Sequence, residues 1–209
     1  MQKSTPPRID LYFDFSSPYS YLSVARVHRI TQPLNITVRL LPIALGAIFQ
    51  KLGWQSSPFL AQPRKLDYMW TDVARQARKY HLEFRQPTQF PVGSIQAARI
   101  ANAYADASWH DSFCLQVLRA YFVHNQDIAQ PEVISRILRG LDLNPEETMA
   151  NASAEESKGL LRALTAQADA LNVFGAPSLV VGQELFWGDD RLEDAVACCL
   201  SNTHERLTV

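Results

Sequence analysis

The first forty residues constrain the fold most, because a strand pattern there is interrupted abruptly by Ser-Ser-Pro. Residues 9–15, IDLYFDF, mix aliphatic and aromatic side chains with acids and predict a β-strand. Ser17 then precedes Pro18, which is typical of a helix start, because the hydroxyl caps backbone N–H groups and Pro has no N–H to lose. A helix is predicted over residues 18–31 and a second strand over residues 35–41. The chain therefore opens β-α-β.

The middle of the chain is predicted to be helical. Residues 46–62 are rich in Gly, Ser and Pro and predict a loop with at most one helical turn. From residue 64 to residue 171, apolar side chains recur at helical spacing. One face consists of Leu66, Met69, Trp70, Val73, Ala77 and Tyr80, and another of Cys114, Val117, Leu118, Tyr121 and Phe122. Asn144 and Ser153 each precede a Glu by three residues, which predicts two further helix starts with these side chains as caps.

The end of the chain returns to strands. Residues 178–182, SLVVG, predict a short buried strand. A tight turn follows, and residues 184–187, ELFW, predict the hairpin partner of that strand. A last helix is predicted to begin near Asp190.

Strands in both terminal segments and helices between them predict an α/β fold class. We expect one domain built from residues 1–45 and 172–209, interrupted by an all-helical insertion of residues 46–171. The length of 209 residues fits one large domain or a smaller fold with an insertion. With 47% apolar and 20% charged residues, such a chain can bury a substantial core.

Charge and cysteine content exclude several partners. The 20 Lys and Arg are balanced by 21 Asp and Glu, so the net charge of -1 offers no field for nucleic acid or an anionic membrane. No apolar stretch approaches the roughly 20 residues that cross a bilayer, and residues 1–8 lack the apolar core of a secretory signal. Three cysteines, two of them adjacent, imply no disulfide framework. We expect a cytoplasmic protein that binds neither nucleic acid nor a membrane.

Three short motifs could carry chemistry. Ser17 would lie at the start of the first helix, where the helix dipole favours a bound anion. Alternatively, Ser17 only caps that helix. Ala176-Pro177 before a strand permits a cis peptide in a tight turn, or an ordinary trans peptide. In the run WGDDR, Asp189 and Asp190 could grip an ammonium group. Alternatively, Asp190 caps the last helix and Asp189 is exposed in the turn.

Other kinds of chemistry find no support in the sequence. The five histidines are scattered, with no second histidine or cysteine at ligand spacing, so no metal site is predicted. A Gly-rich phosphate loop and a Gly-x-Ser-x-Gly elbow are both absent from the sequence. Their absence excludes nucleotide hydrolysis by a phosphate loop and the common serine hydrolases.

Together and in this order, the three motifs resemble those of a known family. The chain resembles the glutathione-dependent 2-hydroxychromene-2-carboxylate isomerases and, more distantly, the kappa-class glutathione transferases. The resemblance is carried by YFDFSSPYSY at residues 12–21, PRKLDYM at 63–69, VFGAP at 173–177 and FWGDDRL at 186–192. It implies a thioredoxin-like domain with an all-helical insertion, related to the periplasmic disulfide oxidoreductases. SPYS at residues 17–20 stands in place of their Cys-x-x-Cys.

The resemblance also implies glutathione as the cofactor. Ser17 would donate to the glutathione sulfur, and the backbone of Ala176 would pair with the cysteinyl part, as a strand edge pairs with a peptide. Asp190 would meet the ammonium of the γ-glutamyl end. The residues that the resemblance places on glutathione are Ser17, Ala176, Pro177, Trp187, Gly188, Asp189 and Asp190.

On the substrate side, the implied residues are Tyr19, Phe49 and Trp54. In many relatives the residue at the position of Trp54 is an Asn that reaches glutathione or substrate. Phe49 and Gln50 stand at about the place of a lysine that some isomerases use on substrate. The substrate side of the site therefore differs from the family pattern.

The activity implied by the resemblance is a cis-trans isomerisation in aromatic catabolism, carried out by a homodimer. Its substrates would be 2-hydroxychromene-2-carboxylate and trans-o-hydroxybenzylidenepyruvate, a small aromatic keto acid. Glutathione would supply a thiolate that adds to the conjugated system, permits rotation and leaves unchanged. Two alternatives stay open: a kappa-like glutathione transferase or peroxidase, which consumes glutathione, and a non-catalytic glutathione-binding module of the thioredoxin fold.

Overall fold

The structure is a computed structural model that describes residues 7–207, with side chains described as far as residue 201. Residues 1–6, on which most of the expectation about a secretory signal rests, lie outside the described part, as does the side chain of His204. Within the described part, no helix combines the length and the apolar character needed to span a bilayer.

The described residues form strands at both ends of the chain and helices between them. In chain order the elements are β1 (Arg8–Phe13), α1 (Pro18–Thr31), β2 (Thr37–Pro42), α2 (Leu45–Lys51), α3 (Pro63–Lys79), α4 (Ile95–Ala103), α5 (His110–Phe122), α6 (Pro131–Gly140), α7 (Pro145–Ser153), α8 (Glu155–Ala170), β3 (Ser178–Val181), β4 (Glu184–Trp187) and α9 (Leu192–Leu207). A 3-10 turn, Asp189–Arg191, leads into α9. The α/β fold class is confirmed, and the domain limits at residues 45/46 and 171/172 stay predictions.

The four strands form one sheet in the order β2-β1-β3-β4. β1 runs parallel to β2, with Leu11 opposite Leu40, and antiparallel to β3, with Leu11 opposite Leu179. β3 and β4 form the predicted hairpin. The strand nearest the amino terminus therefore lies in the middle of the sheet and joins the two terminal segments into one unit.

Side chains of β1 alternate between two apolar clusters, as the period of a strand requires. Ile9, Leu11 and Phe13 belong to the larger cluster, which includes the buried faces of α1, α3 and α5. Tyr12 belongs to a second cluster with Ile48 of α2, Ala168 of α8 and Val173. Both faces of the sheet are thus covered by helices. The apolar faces predicted for α3 and α5 are confirmed by the burial of their side chains.

The prediction for residues 46–62 is wrong at its start, where α2 makes two turns from Leu45 to Lys51. The carboxylate of Asp14 accepts the N–H of Leu45 at 3.1 Å and so satisfies a donor at the helix start. Leu45 and Ile48 are then buried against the cluster around Tyr12. These tertiary contacts stabilise a helix that the local composition does not indicate.

One of the two predicted helix caps is confirmed and the other is wrong. Asn144 accepts the N–H groups of Glu146 and Glu147 at 3.1 and 3.3 Å at the start of α7. Ser153 is instead the last residue of α7, and its hydroxyl donates to the carbonyl of Met149 at 2.8 Å. α8 begins after a single extended residue, so Ser153 is one residue too early to cap it.

We expect N144A to lower the free energy of unfolding by about 1 kcal/mol, because it removes the acceptor of two helix-start N–H groups. S153A is the matched control, and its effect should stay within about 0.5 kcal/mol, since Ser153 caps nothing. Urea denaturation followed by circular dichroism measures both. Equal losses in the two variants would contradict the assignment of the cap.

Candidate functional site

A cleft of about 1140 Å³ lies where the end of β1 meets α2, α3 and the turn after β4. All residues that the sequence analysis places on glutathione or substrate line this cleft. They are Ser17, Tyr19, Phe49, Trp54, Ala176, Pro177, Trp187, Gly188, Asp189 and Asp190. The fold therefore brings together side chains from four separate segments of the chain. The cleft is slightly larger than the roughly 300–1,000 Å³ that is typical of a small-molecule site.

Ser17 is both the cap of α1 and part of the cleft wall. Its hydroxyl oxygen accepts the N–H of Ser20 at 3.2 Å, and its proton goes to the carbonyl of Ala176 at 2.9 Å. Pro18 has no N–H, so the N–H of Tyr19 is the remaining donor of the first helical turn. The start of α1 thus offers a hydroxyl and a backbone N–H, together with the positive end of the helix dipole.

The peptide bond between Ala176 and Pro177 is cis, so the trans alternative is wrong. Pro177 accepts the N–H of Gly188 at 3.0 Å, which joins the segment before β3 to the turn after β4. Trp187 lies across Gly175, where a Cβ atom would collide with the indole Nε1. Its ring also contacts Phe174, with centroids 4.8 Å apart. Phe174 and Trp187 therefore form an exposed aromatic pair that lines the cleft.

The two acids of the WGDDR run differ in environment. Asp189 is only 2% exposed, so the alternative that it is exposed in the turn is wrong. Its carboxylate accepts from Ser23 at 2.9 Å and from the equally buried Arg26 at 3.2 Å. Burial raises the pKa of Asp189, although Arg26 and Ser23 oppose that rise. Asp190 is exposed and paired with Arg191 at 3.0 Å, so of the two only Asp190 presents its carboxylate to solvent.

Tyr19, Phe49 and Trp54 also line the cleft. The Tyr19 hydroxyl donates to Asp72 at 2.8 Å, which ties α1 to α3. Burial and the neighbouring Asp72 carboxylate raise the pKa of Tyr19 well above its usual value, so the phenol stays protonated. The N–H of Trp54 bonds to the carbonyl of Phe49 at 2.9 Å, which closes the end of α2 and holds both rings on the cleft wall.

Lys65, Asp72 and the segment 90–94 also line the cleft, although none of them is among the residues predicted for it from the sequence. Lys65 of α3 is the one cation among the described residues that line the cleft. Lys65 belongs to residues 63–69, which carry part of the family resemblance, but the resemblance implies no role for this lysine. Residues 90–94 lie between helices and reach the cleft through tertiary packing, for which the sequence contains no local signal.

Asp14 connects the segments around the cleft. Its carboxylate accepts the N–H of Ser16 at 2.7 Å, the N–H of Leu45 at 3.1 Å and the hydroxyl of Ser94 at 3.1 Å. The Ser16 hydroxyl donates to the carbonyl of Val92 at 2.6 Å. Burial raises the pKa of Asp14, and the three hydrogen bonds oppose that rise. The acid therefore fixes the turn before α1 relative to α2 and α4.

Two of the histidines that look scattered in the sequence meet at one carboxylate. Asp111 lies 2.9 Å from His28 Nε2 and 2.8 Å from His110 Nδ1, and Cys114 lies 3.7 Å from the other nitrogen of His110. Within residues 7–201, no group of three or more His, Cys, Asp or Glu side chains has an arrangement that could hold a metal ion.

Comparison with known proteins identifies the family. Residues 8–197 match the DsbA-like thioredoxin domain. The chain belongs to this family. A solved structure of 2-hydroxychromene-2-carboxylate isomerase superposes with a TM-score of 0.80 at 25% identity, covering 96% of each chain. The thioredoxin-like architecture with a helical insertion is therefore confirmed.

Two curated relatives extend the comparison along the sequence of this DsbA-like protein. The 2-hydroxychromene-2-carboxylate isomerase of Pseudomonas putida is 27% identical over 195 residues, which cover 88% of this chain and 90% of that enzyme. The glutathione S-transferase kappa 1 of Caenorhabditis elegans is also 27% identical, over 88% of this chain and 87% of the transferase. The resemblance to both groups of enzymes is confirmed.

The raised pKa of Asp14 leads to a prediction about pH. The folded chain holds this proton to a higher pH than the unfolded chain, whose value is near 3.8, so linkage lowers the free energy of unfolding as pH rises through that window. D14N has no titrating group at this position. The stability of the unaltered protein relative to D14N should therefore fall as pH rises from 3.8 through the raised pKa.

Urea denaturation at a series of pH values measures this difference. The control is D106N, which alters an exposed acid, and its stability should run parallel to that of the unaltered protein. A difference between D14N and the unaltered protein that does not change with pH would contradict the prediction.

Proposed function

We propose that this protein is a glutathione-dependent cis-trans isomerase that interconverts 2-hydroxychromene-2-carboxylate and trans-o-hydroxybenzylidenepyruvate. The observation that carries the proposal is the Ser17 hydroxyl at the start of α1, directly beside the Ala176 carbonyl. No cysteine is among the described residues that line the cleft. A site of this kind cannot exchange disulfides through its own side chains, but it can hold a thiolate that a ligand supplies.

The residues present fit glutathione at several points. The Ala176 carbonyl, which now accepts the Ser17 hydroxyl, can accept the cysteinyl N–H instead. That exchange would free the hydroxyl to donate to the sulfur. Asp190 offers an exposed carboxylate for the γ-glutamyl ammonium. Donors and acceptors of matching charge thus lie along the cleft.

The main chemical task of the chain is to stabilise negative charge at the start of α1. Bound glutathione would supply a thiolate that adds reversibly to the conjugated double bond, permits rotation and leaves unchanged, so no net oxidation or reduction occurs. The Ser17 hydroxyl and the Tyr19 N–H donate to that charge. Lowering a thiol pKa by one unit corresponds to about 1.4 kcal/mol, which is within reach of two such donors and a helix dipole.

An aromatic wall supports the choice of a planar substrate. Phe49, Trp54 and Phe90 line the cleft, and Trp54 is 38% exposed. Aromatic faces of this kind pack against a planar ring. Lys65 at the same cleft attracts the carboxylate that the proposed keto acid carries. A small aromatic keto acid therefore matches the cleft in shape and charge.

A kappa-like glutathione transferase is the second candidate, and it is favoured by the 27% identity to the Caenorhabditis elegans enzyme. The two activities differ in thiol stoichiometry. With 2-hydroxychromene-2-carboxylate and glutathione, an isomerase reaches equilibrium at constant free thiol, whereas a transferase loses one thiol for each conjugate formed. Simultaneous absorbance and thiol assays distinguish them. Progressive thiol loss without isomerisation would overturn the proposal.

The cytoplasmic location and the homodimer stay predictions of the same proposal.

S17A tests the assigned role of the hydroxyl. Loss of a donor to charge that develops during reaction should lower kcat about 100-fold, whereas glutathione affinity should change only a few-fold. S153A is the control and should retain full turnover, because its hydroxyl bonds within α7. Steady-state kinetics and isothermal titration calorimetry measure the two quantities. Unchanged turnover in S17A would reject this role.

D190N tests the contact with the γ-glutamyl ammonium. We expect roughly tenfold weaker glutathione binding, as for the loss of one charge-assisted hydrogen bond. Asp194 provides a matched control, because it is also exposed and also pairs with Arg191 but lies outside the cleft. D194N should bind glutathione as the unaltered protein does. Equal effects of the two substitutions in calorimetry would place the ammonium elsewhere.

A further inference from the structure

A second pocket lies on the other side of α2 from the cleft. It occupies about 350 Å³ between α2, α4 and α8, and we call it the α2–α4–α8 pocket. Ala47 of α2 and Ile95 of α4 line both this pocket and the cleft, so the two spaces share a wall. Its apolar lining also includes Ile48 and Leu161.

The pocket contains more positive than negative charge. Lys51, Arg99, Lys158 and Arg162 line it together with one acid, Asp169. Lys51 pairs with Asp169 at 2.6 Å, and Glu155 pairs with both Lys158 and Arg162. Three of the four cations thus share two carboxylates.

Arg99 is the cation that these carboxylates leave over. Its side chain makes no hydrogen bond or ion pair with any described residue, and its Nε atom is buried without a partner. A buried donor of this kind is normally satisfied, because desolvation without a hydrogen bond is costly. Its position in a pocket with excess positive charge indicates that the missing partner is an anion.

We infer that the α2–α4–α8 pocket is a second binding site, separate from the cleft, for a small carboxylate with an apolar body. Arg99 holds the carboxylate through its planar guanidinium, whose fork matches the two oxygens. Ile48, Ile95 and Leu161 contact the apolar part of the ligand. The charge and the apolar lining together select an amphipathic anion over a fully hydrated one such as phosphate.

A ligand bound in this pocket would lie against the residues that hold the start of α2 in place. The N–H of Ala44, just before α2, donates to the Thr165 hydroxyl at 3.1 Å, and Thr165 lines the pocket. The next N–H, that of Leu45, donates to Asp14 on the cleft side. The start of α2 is therefore anchored to both sites, which gives the ligand a physical connection to the cleft.

The test uses benzoate as the probe and two-dimensional ¹H–¹⁵N NMR of the full chain. Benzoate should shift the amide signals of residues 95–99 and 161–166. R99Q should weaken benzoate binding about tenfold, as for one charge-assisted hydrogen bond. R136Q is the control, because Arg136 is exposed on α6 and should leave binding unchanged.

Two further probes test the ligand class in the unaltered protein, so the result does not depend on how R99Q folds. Benzamide, the neutral analogue, and inorganic phosphate, the anion without an apolar body, should each bind at least about tenfold more weakly than benzoate. Equal binding of benzoate to R99Q and the unaltered protein would overturn the inference, as would shifts confined to residues around 17 and 176. Phosphate binding as tight as that of benzoate would overturn the ligand class. Every readout is binding at the α2–α4–α8 pocket and not turnover in the cleft, so the inference stands or falls independently of the isomerase.

Discussion

The buried carboxylate of Asp14 is the interaction on which the arrangement of the cleft depends. Its three donors come from the turn before α1, the first residue of α2 and the residue that precedes α4. A carboxylate without donors would be far too costly to bury. Burial of Asp14 therefore requires all three segments to be in place at once. The contact that sets the start of α1 also positions α2 and α4, and so it positions the aromatic wall of the cleft relative to Ser17.

A second buried charge, that of Arg26, fixes the turn after β4 to α1. Arg26 of α1 is 1% exposed and bonds to the carboxylate and the backbone carbonyl of Asp189. Its guanidinium also lies over the Tyr80 ring, 4.0 Å from the centroid. Removing one partner of such a pair typically costs 3–5 kcal/mol, or about a third of the stability of an average domain. Asp189 is thus held against α1 through its Oδ1 atom and its backbone carbonyl, and the exposed Asp190 follows it directly in the chain.

The sequence predicts an element correctly where the interactions that stabilise the element lie within a few residues of it. Ser17 and Pro18 mark the start of α1 because the cap and the missing N–H act within one turn. α2 was missed because its stability comes from Asp14 and from burial against the cluster around Tyr12. Lys65 was missed for a similar reason: the docking of α3 decides whether the lysine reaches the cleft, and helical periodicity does not encode docking. The family resemblance supplied what periodicity lacks, namely which distant segments meet.

The hydrogen bond from Ser17 to Ala176 joins residues that are 159 positions apart. During translation, Ser17 and the first helix are therefore made long before Ala176. β1 also lacks its neighbour β3 until that late stage. For most of its synthesis the nascent chain therefore lacks a complete cleft, which forms only when the last hairpin docks.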